Sequence, residues 1–510
     1  MDITVQENVS KKPASENEDV INRMFPNLFL VKLFPEIIIK SHSVRLSMIR
    51  TLNVNIRNVL KHFGIECKIQ SKWDKLMVKC DNSQELPKLI EIMQNIPGIH
   101  SFAEVHCSSF TDVNDIYLQT KELYEGKLVG KTFCVRVKRK GTHDFTSIDV
   151  EKYVGGGLNQ NLESNGVKLT NPDLQINIEI DQNQLYLIKN THQGLGGYPL
   201  STQEDVLSLI SGGFDSGVSS FKFIKRGCKV HYCFFNMGGR DHEIGVKQEA
   251  YYLWNRFGSS HRVKFYSVPF EPVIAEILET MNKHLMGVIL KRMMMRVASR
   301  IAQKNKIHAL VTGESVGQVS SQTVTNLSVI DQVTDTMILR PLIVTDKQDI
   351  IDECRKIGTV EIAESMPEYC GVISQKPTTH AKLDDILEEE KKFNFKVIDK
   401  AVEDTVCTDI RDIAKETDGV LTEVTTVTSI AEDETVIDIR SQDEVDDEPL
   451  TLSGVKIINI PFYKISTTFG DLDQSKNYLL YCKNGVMSRI QALYLKEQGY
   501  NNVKIYRKNS

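Results

Sequence analysis

Apolar residues recur along this chain in short β-prone runs separated by stretches of helical spacing. NLFLVKLF and LMVKC read as strands. Between them, SHSVRLSMIRTLNVNIRNVLKHFG carries Val44, Leu46, Ile49, Leu52, Val54, Ile56, Val59 and Leu60 on a broadly helical period. To about His100 the pattern is therefore strand, helix, strand, helix. Further on, LQINIEIDQNQLYLI alternates apolar and polar positions, as a half-buried strand does. From Glu204 to about Lys400 the rhythm changes. DVLSLI, KVHYCFFN, RVKFYSV and HALVTG are short continuous apolar runs with helical segments between them, and GVSSFKFIKRG is a helix closed by Gly227. Buried strands alternating with helices predict a parallel, doubly wound sheet. ETVIDIR, VKIINIP and NYLLYC then predict a further compact α/β unit, with a helix from about Ser488.

A chain of 510 residues exceeds one compact core, and roughly three or four domains are expected. The predicted divisions are a polar, disordered tail over 1–26, a ferredoxin-like α+β module over 27–100 and an α/β module over 101–198. An alternating α/β domain over 199–400, an acidic linker over 401–430 and a small α/β domain over 431–510 complete the chain.

The net charge of −5 gives no whole-chain case for nucleic-acid binding, so any basic surface must be local. Lys131, Arg136, Lys138, Arg139 and Lys140 form the sharpest basic cluster of the N-terminal half. Residues 381–450 hold eight Lys and Arg against 22 Asp and Glu, a surface that would repel RNA. No apolar run approaches the roughly 20 residues a membrane helix needs, and no membrane association is expected. The ten cysteines are scattered without a CxxC pair, which argues against a secreted disulfide framework or a zinc site and for a reducing cytoplasm. No protein-held metal is expected.

The most informative local text is Ser211-Gly212-Gly213-Phe214-Asp215-Ser216, between a buried strand and a helix. Paired glycines let a backbone turn tightly and approach a phosphate with no side chain in the way. The amides of such a turn and of the following helix N-terminus point at the anion. Ser211 and Ser216 add hydroxyl donors. Asp215 cannot favour a phosphate directly, so its natural role is to hold Mg²⁺ or to orient a reacting group. SGG alone is common helix punctuation. The complete SGGFDS resembles the pyrophosphate-binding loop of ATP pyrophosphatases, which cleave ATP between its α and β phosphates. It is not a Walker loop, since GxxxxGKS/T is absent. Thr312-Gly313-Glu314-Ser315-Val316-Gly317-Gln318, followed by Ser321-Gln322-Thr323, is a second glycine-bearing turn at a strand's carboxyl end, where ligands sit in open α/β sheets. The helix KRMMMRVASRIA has a Met-rich face that reads as core, while Lys291 and Arg292 stand near its start, where a lysine could reach phosphate.

Tyr481-Cys482-Lys483-Asn484-Gly485-Val486-Met487-Ser488-Arg489 follows a strand and opens a helix. Backbone amides and a helix N-terminus favour a thiolate there and stabilise a terminal persulfide anion. A lone cysteine after a strand is usually a small buried residue. The CxxGxxxR text instead resembles the active-site loop of rhodanese domains, and Asp438-Ile439-Arg440 matches their upstream Asp-x-Arg. Cys370, in MPEYCGVIS, reads by itself as structural.

Taken together, a ferredoxin-like module, VKRKGTHDF, SGGFDS, MPEYCGVIS and YCKNGVMS resemble the tRNA 4-thiouridine sulfurtransferase family, also called the thiamine-biosynthesis sulfurtransferases, from about Asn27 to the C-terminus. VKRKGTHDF resembles the signature of the THUMP RNA-binding domain. The rhodanese domain is kept by only a subset of that family. The resemblance implies that Leu209, Ile210, Lys291, Gly313 and Gln322 contact ATP, with Ser211, Gly212, Gly213 and Ser216 in the pyrophosphate loop. It implies that Asp215 acts in that loop, that Lys347 stabilises charge during adenylation and that Cys482 accepts persulfide sulfur from a cysteine desulfurase. Cys370 would close a disulfide with Cys482 as the sulfur leaves, and a cytosolic thiol reductant would reopen it. The implied cofactors are ATP and Mg²⁺. The implied substrate is uridine 8 of tRNA, recognised through RNA shape. A second implied acceptor is the sulfur carrier protein used for the thiamine thiazole. Members of the family tend to be homodimers.

Two other classes compete. An ATP pyrophosphatase with another nucleophile, such as an amidotransferase-like synthetase, would bring a glutaminase, and no glutaminase nucleophile text is visible. A sulfur-relay rhodanese or RNA-binding protein without thiolation activity would tolerate decay of SGGFDS and TGESVGQVSSQT, and both stand intact.

Overall fold

The computed structural model describes residues 27–72, 75–237, 239–364, 377–413 and 424–508, apart from positions 432, 441, 453, 484, 486, 487, 489, 490, 493, 494 and 497. The tail 1–26 and Cys370 lie outside the described residues. The chain divides after Pro199 into two units.

The first unit opens with β1 (Asn27–Leu33), α1 (His42–His62), β2 (Cys67–Lys72), β3 (Lys75–Cys80), α2 (Leu86–Gln94) and β4 (Ile99–Ser109). The strand order β2-β3-β1-β4, antiparallel throughout, is the ferredoxin-like arrangement. On α1, Met48, Ile49, Leu52, Ile56, Val59 and Leu60 form one stripe against Phe29, Val31, Leu76 and Val78. Val44 and Val54, expected on the same helical face, fall off this stripe and are exposed.

The sheet does not stop at residue 100. β4 also pairs with β7 (Gln184–Gln193), and through it the ladder continues to β6 (Leu174–Asp181) and β5 (Phe133–Lys140), which makes seven strands in all. α3 (Val113–Tyr124) and α4 (Ser147–Asn161) cover this half, around Ile116, Val135, Val150, Val154 and Ile178. On the sheet, β3 and β6 stand four positions apart, roughly 19 Å if it were flat. Yet Glu179 of β6 accepts from Lys32 of β1 at 2.7 Å and from Lys75 of β3 at 3.5 Å. The sheet therefore curls, enclosing Leu30, Met77, Ala103, Val105 and Tyr186. Within the basic cluster, Arg136 donates to the Leu169 carbonyl at 2.7 Å and Arg139 to the Gly141 carbonyl at 2.9 Å, while Lys131 and Lys138 are exposed.

The second unit holds the predicted doubly wound sheet. Its strands are β8 (Val206–Leu209), β9 (Val230–Asn236), β10 (Lys264–Pro269), β11 (Ala309–Val311), β12 (Met337–Leu339) and β13 (Val406–Asp409), in the order β12-β11-β8-β9-β10-β13. All pair in parallel except β13, an antiparallel edge drawn from the stretch expected as linker. The principal helices are α5 (Phe214–Lys225), α6 (Gly239–Leu253), α7 (Met286–Lys304) and α8 (Lys347–Ile357). Alternation along β8 assigns its two faces. Ser208 bonds Ser220 of α5 at 2.8 Å, whereas Leu207 and Leu209 join the core built on Ile289, Met293 and Val297 of α7. The Met-rich face of α7 is core, as its spacing predicts, and Arg292 is buried with it, bonded to Glu390 at 2.7 and 3.1 Å.

The C-terminal sheet is parallel, in the order β14-β18-β17-β15-β16: β14 (Thr426–Val427), β15 (Thr435–Asp438), β16 (Lys456–Asn459), β17 (Tyr478–Tyr481) and β18 (Val503–Tyr506). Ile437, Ile465, Phe469, Leu480 and Val503 form its core.

Candidate active site

The chain enters the doubly wound sheet at β8, winds outward through β9 and β10, and returns to the other side of β8 as β11. The switch point therefore lies between β8 and β11, and ligands bind outside the carboxyl ends of such a pair. SGGFDS leaves β8 there, and TGES leaves β11 beside it. Gly212 has φ +84°, which favours glycine. The Ser216 hydroxyl accepts from the Ser211 amide at 3.2 Å and donates to the Gly213 carbonyl at 3.1 Å, so it holds the turn from inside. Gly213 caps α5 without a side-chain bond, which leaves the first-turn amides facing the switch point. A Cβ at Gly313 would come within 2.6–2.8 Å of the Asp215–Ser216 backbone, so glycine permits the two loops to touch. Leu209 and Ile210 are buried at the end of β8, and Gln322 accepts from the Ser315 amide at 3.3 Å within its own loop.

Two lysines enter this place, each paired with a carboxylate. Lys347, the first residue of α8, reaches Asp215 at 2.9 and 3.0 Å, and Gln318 donates to the same carboxylate at 2.9 Å. Lys291 of α7 reaches Glu314 Oε1 at 2.8 Å. Glu314 Oε2 accepts from Arg340 Nε at 2.8 Å and from the Thr312 hydroxyl at 3.0 Å. Burial pushes this carboxyl upward, but the charges of Lys291 and Arg340 outweigh it and hold it at about 2. Glu314 is thus an ionised acid, 3% exposed, clamping cations from two elements.

Cys482 follows β17, and Asp438 ends the adjacent β15, directly paired with Tyr481. The Ser488 amide donates to Cys482 Sγ at 3.2 Å, and the Ser488 hydroxyl lies 3.4 Å from that sulfur. Arg440 bonds Asp438 at 2.9 and 2.5 Å, donates to the Glu448 carbonyl at 3.0 Å and stacks over Tyr481. This arrangement presents a thiol to an amide donor at the carboxyl end of a parallel sheet, a setting suited to a sulfur anion.

The sequence pattern of the family described as "Thiamine biosynthesis protein (ThiI)" matches residues 201–395, a THUMP domain matches 110–188, a ThiI ferredoxin-like domain 28–103 and a rhodanese-like domain 424–508. The tRNA sulfurtransferase of Tolumonas auensis is 62% identical over 94% of this chain and 100% of its own length. The chain belongs to the tRNA sulfurtransferase family. The tRNA sulfurtransferases of Aeromonas hydrophila and Escherichia coli are 59% and 57% identical, each over 94% of this chain and 99% of their own. A solved 4-thiouridine synthetase, in complex with RNA and with bound ATP, superposes with a TM-score of 0.65 over 75% of this chain and 99% of its own; at 22% identity it supports the fold.

Within this member of the tRNA sulfurtransferase family, the structure gathers Asp215, Lys347, Lys291, Gly313 and the SGGFDS turn around one switch point. Cys482 stands on a different sheet, and Cys370 is outside the described residues. The sequence pattern assigns no role to Glu314 or Gln318, though both lie in the turn TGESVGQ, nor to Arg340. An arginine directly after the apolar run MIL, at a strand's carboxyl end, was the signal for Arg340.

Proposed function

We propose that the protein uses ATP to activate O4 of uridine 8 in tRNA and replaces that oxygen with sulfur carried on Cys482, giving 4-thiouridine. The observation that supports this best is the meeting of SGGFDS and TGES at the switch point, with Lys291 and Lys347 entering beside an open helix N-terminus.

The turn amides and the α5 N-terminus bind the β and γ phosphates of ATP, and Lys291 neutralises charge beside them. Uridine O4 attacks the α phosphorus, pyrophosphate leaves, and Lys347 meets the charge that develops. The terminal sulfur of a Cys482 persulfide attacks C4 and AMP departs. A Cys370 thiolate then takes Cys482 Sγ, the Cys482–sulfur bond breaks, and the transferred sulfur stays on the base. The resulting Cys370–Cys482 disulfide needs two electrons from a thiol reductant. Among the described residues no group of three acidic, His or Cys side chains could hold a metal. Mg²⁺ fits as the counter-ion of the ATP phosphates, with Asp215 as a single carboxylate nearby.

The exposed Lys131 and Lys138 give the first unit a local basic surface for tRNA. A cysteine desulfurase as sulfur donor, the thiamine sulfur carrier protein as second acceptor, a cytoplasmic location and a homodimer complete the reading. Among the described residues no helix is long and apolar enough to cross a membrane.

The test is labelled-sulfur incorporation into bulk tRNA with ATP·Mg²⁺, a cysteine desulfurase and cysteine. Labelling by wild type, lost in both Asp215→Ala and Cys482→Ala, joins the loop and the thiol in one reaction. If Cys482 takes up sulfur while wild-type protein leaves tRNA unlabelled, the chain is a sulfur relay to another acceptor.

A further inference from the structure

Behind the pyrophosphate loop lies a charge problem that the reaction does not use. Glu249, on α6, is fully buried, and among the described residues neither of its carboxyl oxygens has a hydrogen-bond partner. It sits against Gly217, the fourth residue of α5: a Cβ added there would collide with Glu249 Oε1. The absent side chain at Gly217 thus makes room for a carboxyl beneath the first turn of the helix whose N-terminus faces the phosphates. A buried carboxylate without a partner is far more costly than the neutral acid.

We propose that Glu249 is a positioning residue that couples the pyrophosphate site to a proton: the neutral carboxyl supports the first turn of α5 while triphosphate is bound, and its ionisation weakens triphosphate binding. The inference rests on the reading of that loop as an ATP site.

Burial raises the Glu249 carboxyl to about 8, and among the described residues no neighbouring charge offsets it. The titratable groups facing it are the Tyr232 phenol of β9, pushed upward by burial and then by Glu249, and the Cys354 thiol of α8, pushed up to about 12, again mainly by burial. Both stay neutral at physiological pH, so Glu249 is the group that changes charge there. Beyond Cys354 stand Asp215 and Lys347, which are already paired with each other. From α5 itself the facing atoms are those of Gly217, and the neighbour on α6 is the uncharged, buried Gln248.

The sign follows from linkage. Bound triphosphate adds negative charge above the same helical turn and raises the carboxyl further. ATP affinity is therefore level below about pH 8, falls above it, and levels again once the bound form has also ionised. A roughly tenfold loss is expected by about pH 9.5, within the usual range for coupled sites. Binding near pH 8 to 9 should take up protons.

The experiment is calorimetric titration of the full-length protein with ATP·Mg²⁺ from about pH 6 to 9.5, in buffers of differing ionisation enthalpy, for wild type, Glu249→Gln and Glu249→Met. The proposal predicts proton uptake and a rising Kd for wild type above about pH 8, with both variants flatter and binding at least as well as wild type at high pH. Glu249→Met keeps the volume without an ionisable group should the glutamine variant misfold. If wild type and either folded variant bind ATP with superimposable pH curves, the ATP reading stands and the coupling is wrong. If none binds ATP at any pH, the nucleotide reading falls and takes the coupling with it.

Discussion

Lys347 Nζ lies 2.9 Å from one oxygen of Asp215 and 3.0 Å from the other, so the cation assigned to adenylation is held by the carboxylate of the pyrophosphate loop itself. The pair is half exposed, with side-chain exposures of 41% and 24%, and such pairs contribute at most about 1 kcal/mol to stability. Its tightness therefore bears on function. Lys347→Ala should lower kcat for tRNA thiolation by about 10²–10³-fold while ATP Kd changes less than tenfold. Thermal unfolding should move little. Single-turnover measurement of pyrophosphate release checks this, and an unchanged rate would remove Lys347 from the chemistry.

Glu314 behaves differently because it is buried. Glu314→Gln leaves Lys291 and Arg340 without their shared anion, and breaking a buried pair typically costs about 3–5 kcal/mol. Denaturant unfolding should show a loss of that order, and KM for ATP should rise as Lys291 is released. The wild-type carboxyl sits at about 2, below its value in an unfolded chain, so its contribution is complete above about pH 4.5 and disappears as pH falls towards 2. Between pH 5 and 9 the difference in stability between wild type and variant should therefore stay constant apart from effects of other groups.

Gly313 tests the contact between the two loops. An added Cβ would come within 2.6 Å of the Asp215 backbone, and backbone cannot swing aside as a side chain can. Gly313→Ala should weaken ATP binding by at least tenfold, since the displaced turn no longer aims its amides at phosphate. Circular dichroism should remain native. Wild-type affinity in a folded variant would show that the loops part without consequence.

These residues also mark where the chain was legible as text. SGGFDS, TGES and the strands before them were readable because short apolar runs and glycine turns are local signals. Asp215 is a candidate from its own loop and Lys347 through resemblance alone, and their direct pairing, 132 positions apart, belongs to the tertiary fold. Glu249 gave no signal at all: in GVKQEAYYLW a glutamate reads as solvent-facing, and only the packing of α6 on Gly217 turns it inward. The seven-stranded sheet escaped for a related reason. The boundary expected at residue 100 falls inside the 11-residue β4, whose two edges serve both halves.

Arg440 holds the Cys482 end of the molecule by a different logic. It is 4% exposed, spends two donors on the buried Asp438, a third on the Glu448 carbonyl, and stacks on Tyr481, the residue before Cys482. A lysine has one compact ammonium and no plane, so it cannot satisfy these partners together. Arg440→Lys should destabilise the C-terminal domain by about 2–3 kcal/mol, less than deletion of the charge would, because one ion-pair contact to Asp438 survives. Since Asp438 and Tyr481 are directly paired across β15 and β17, loosening Asp438 also loosens the strand that delivers Cys482. Persulfide loading of Cys482 by a desulfurase should slow several-fold at a temperature where the variant is still folded, while ATP binding in the other sheet stays as in wild type. Equal loading rates in a destabilised variant would mean that Arg440 supports the domain without setting the position of its thiol.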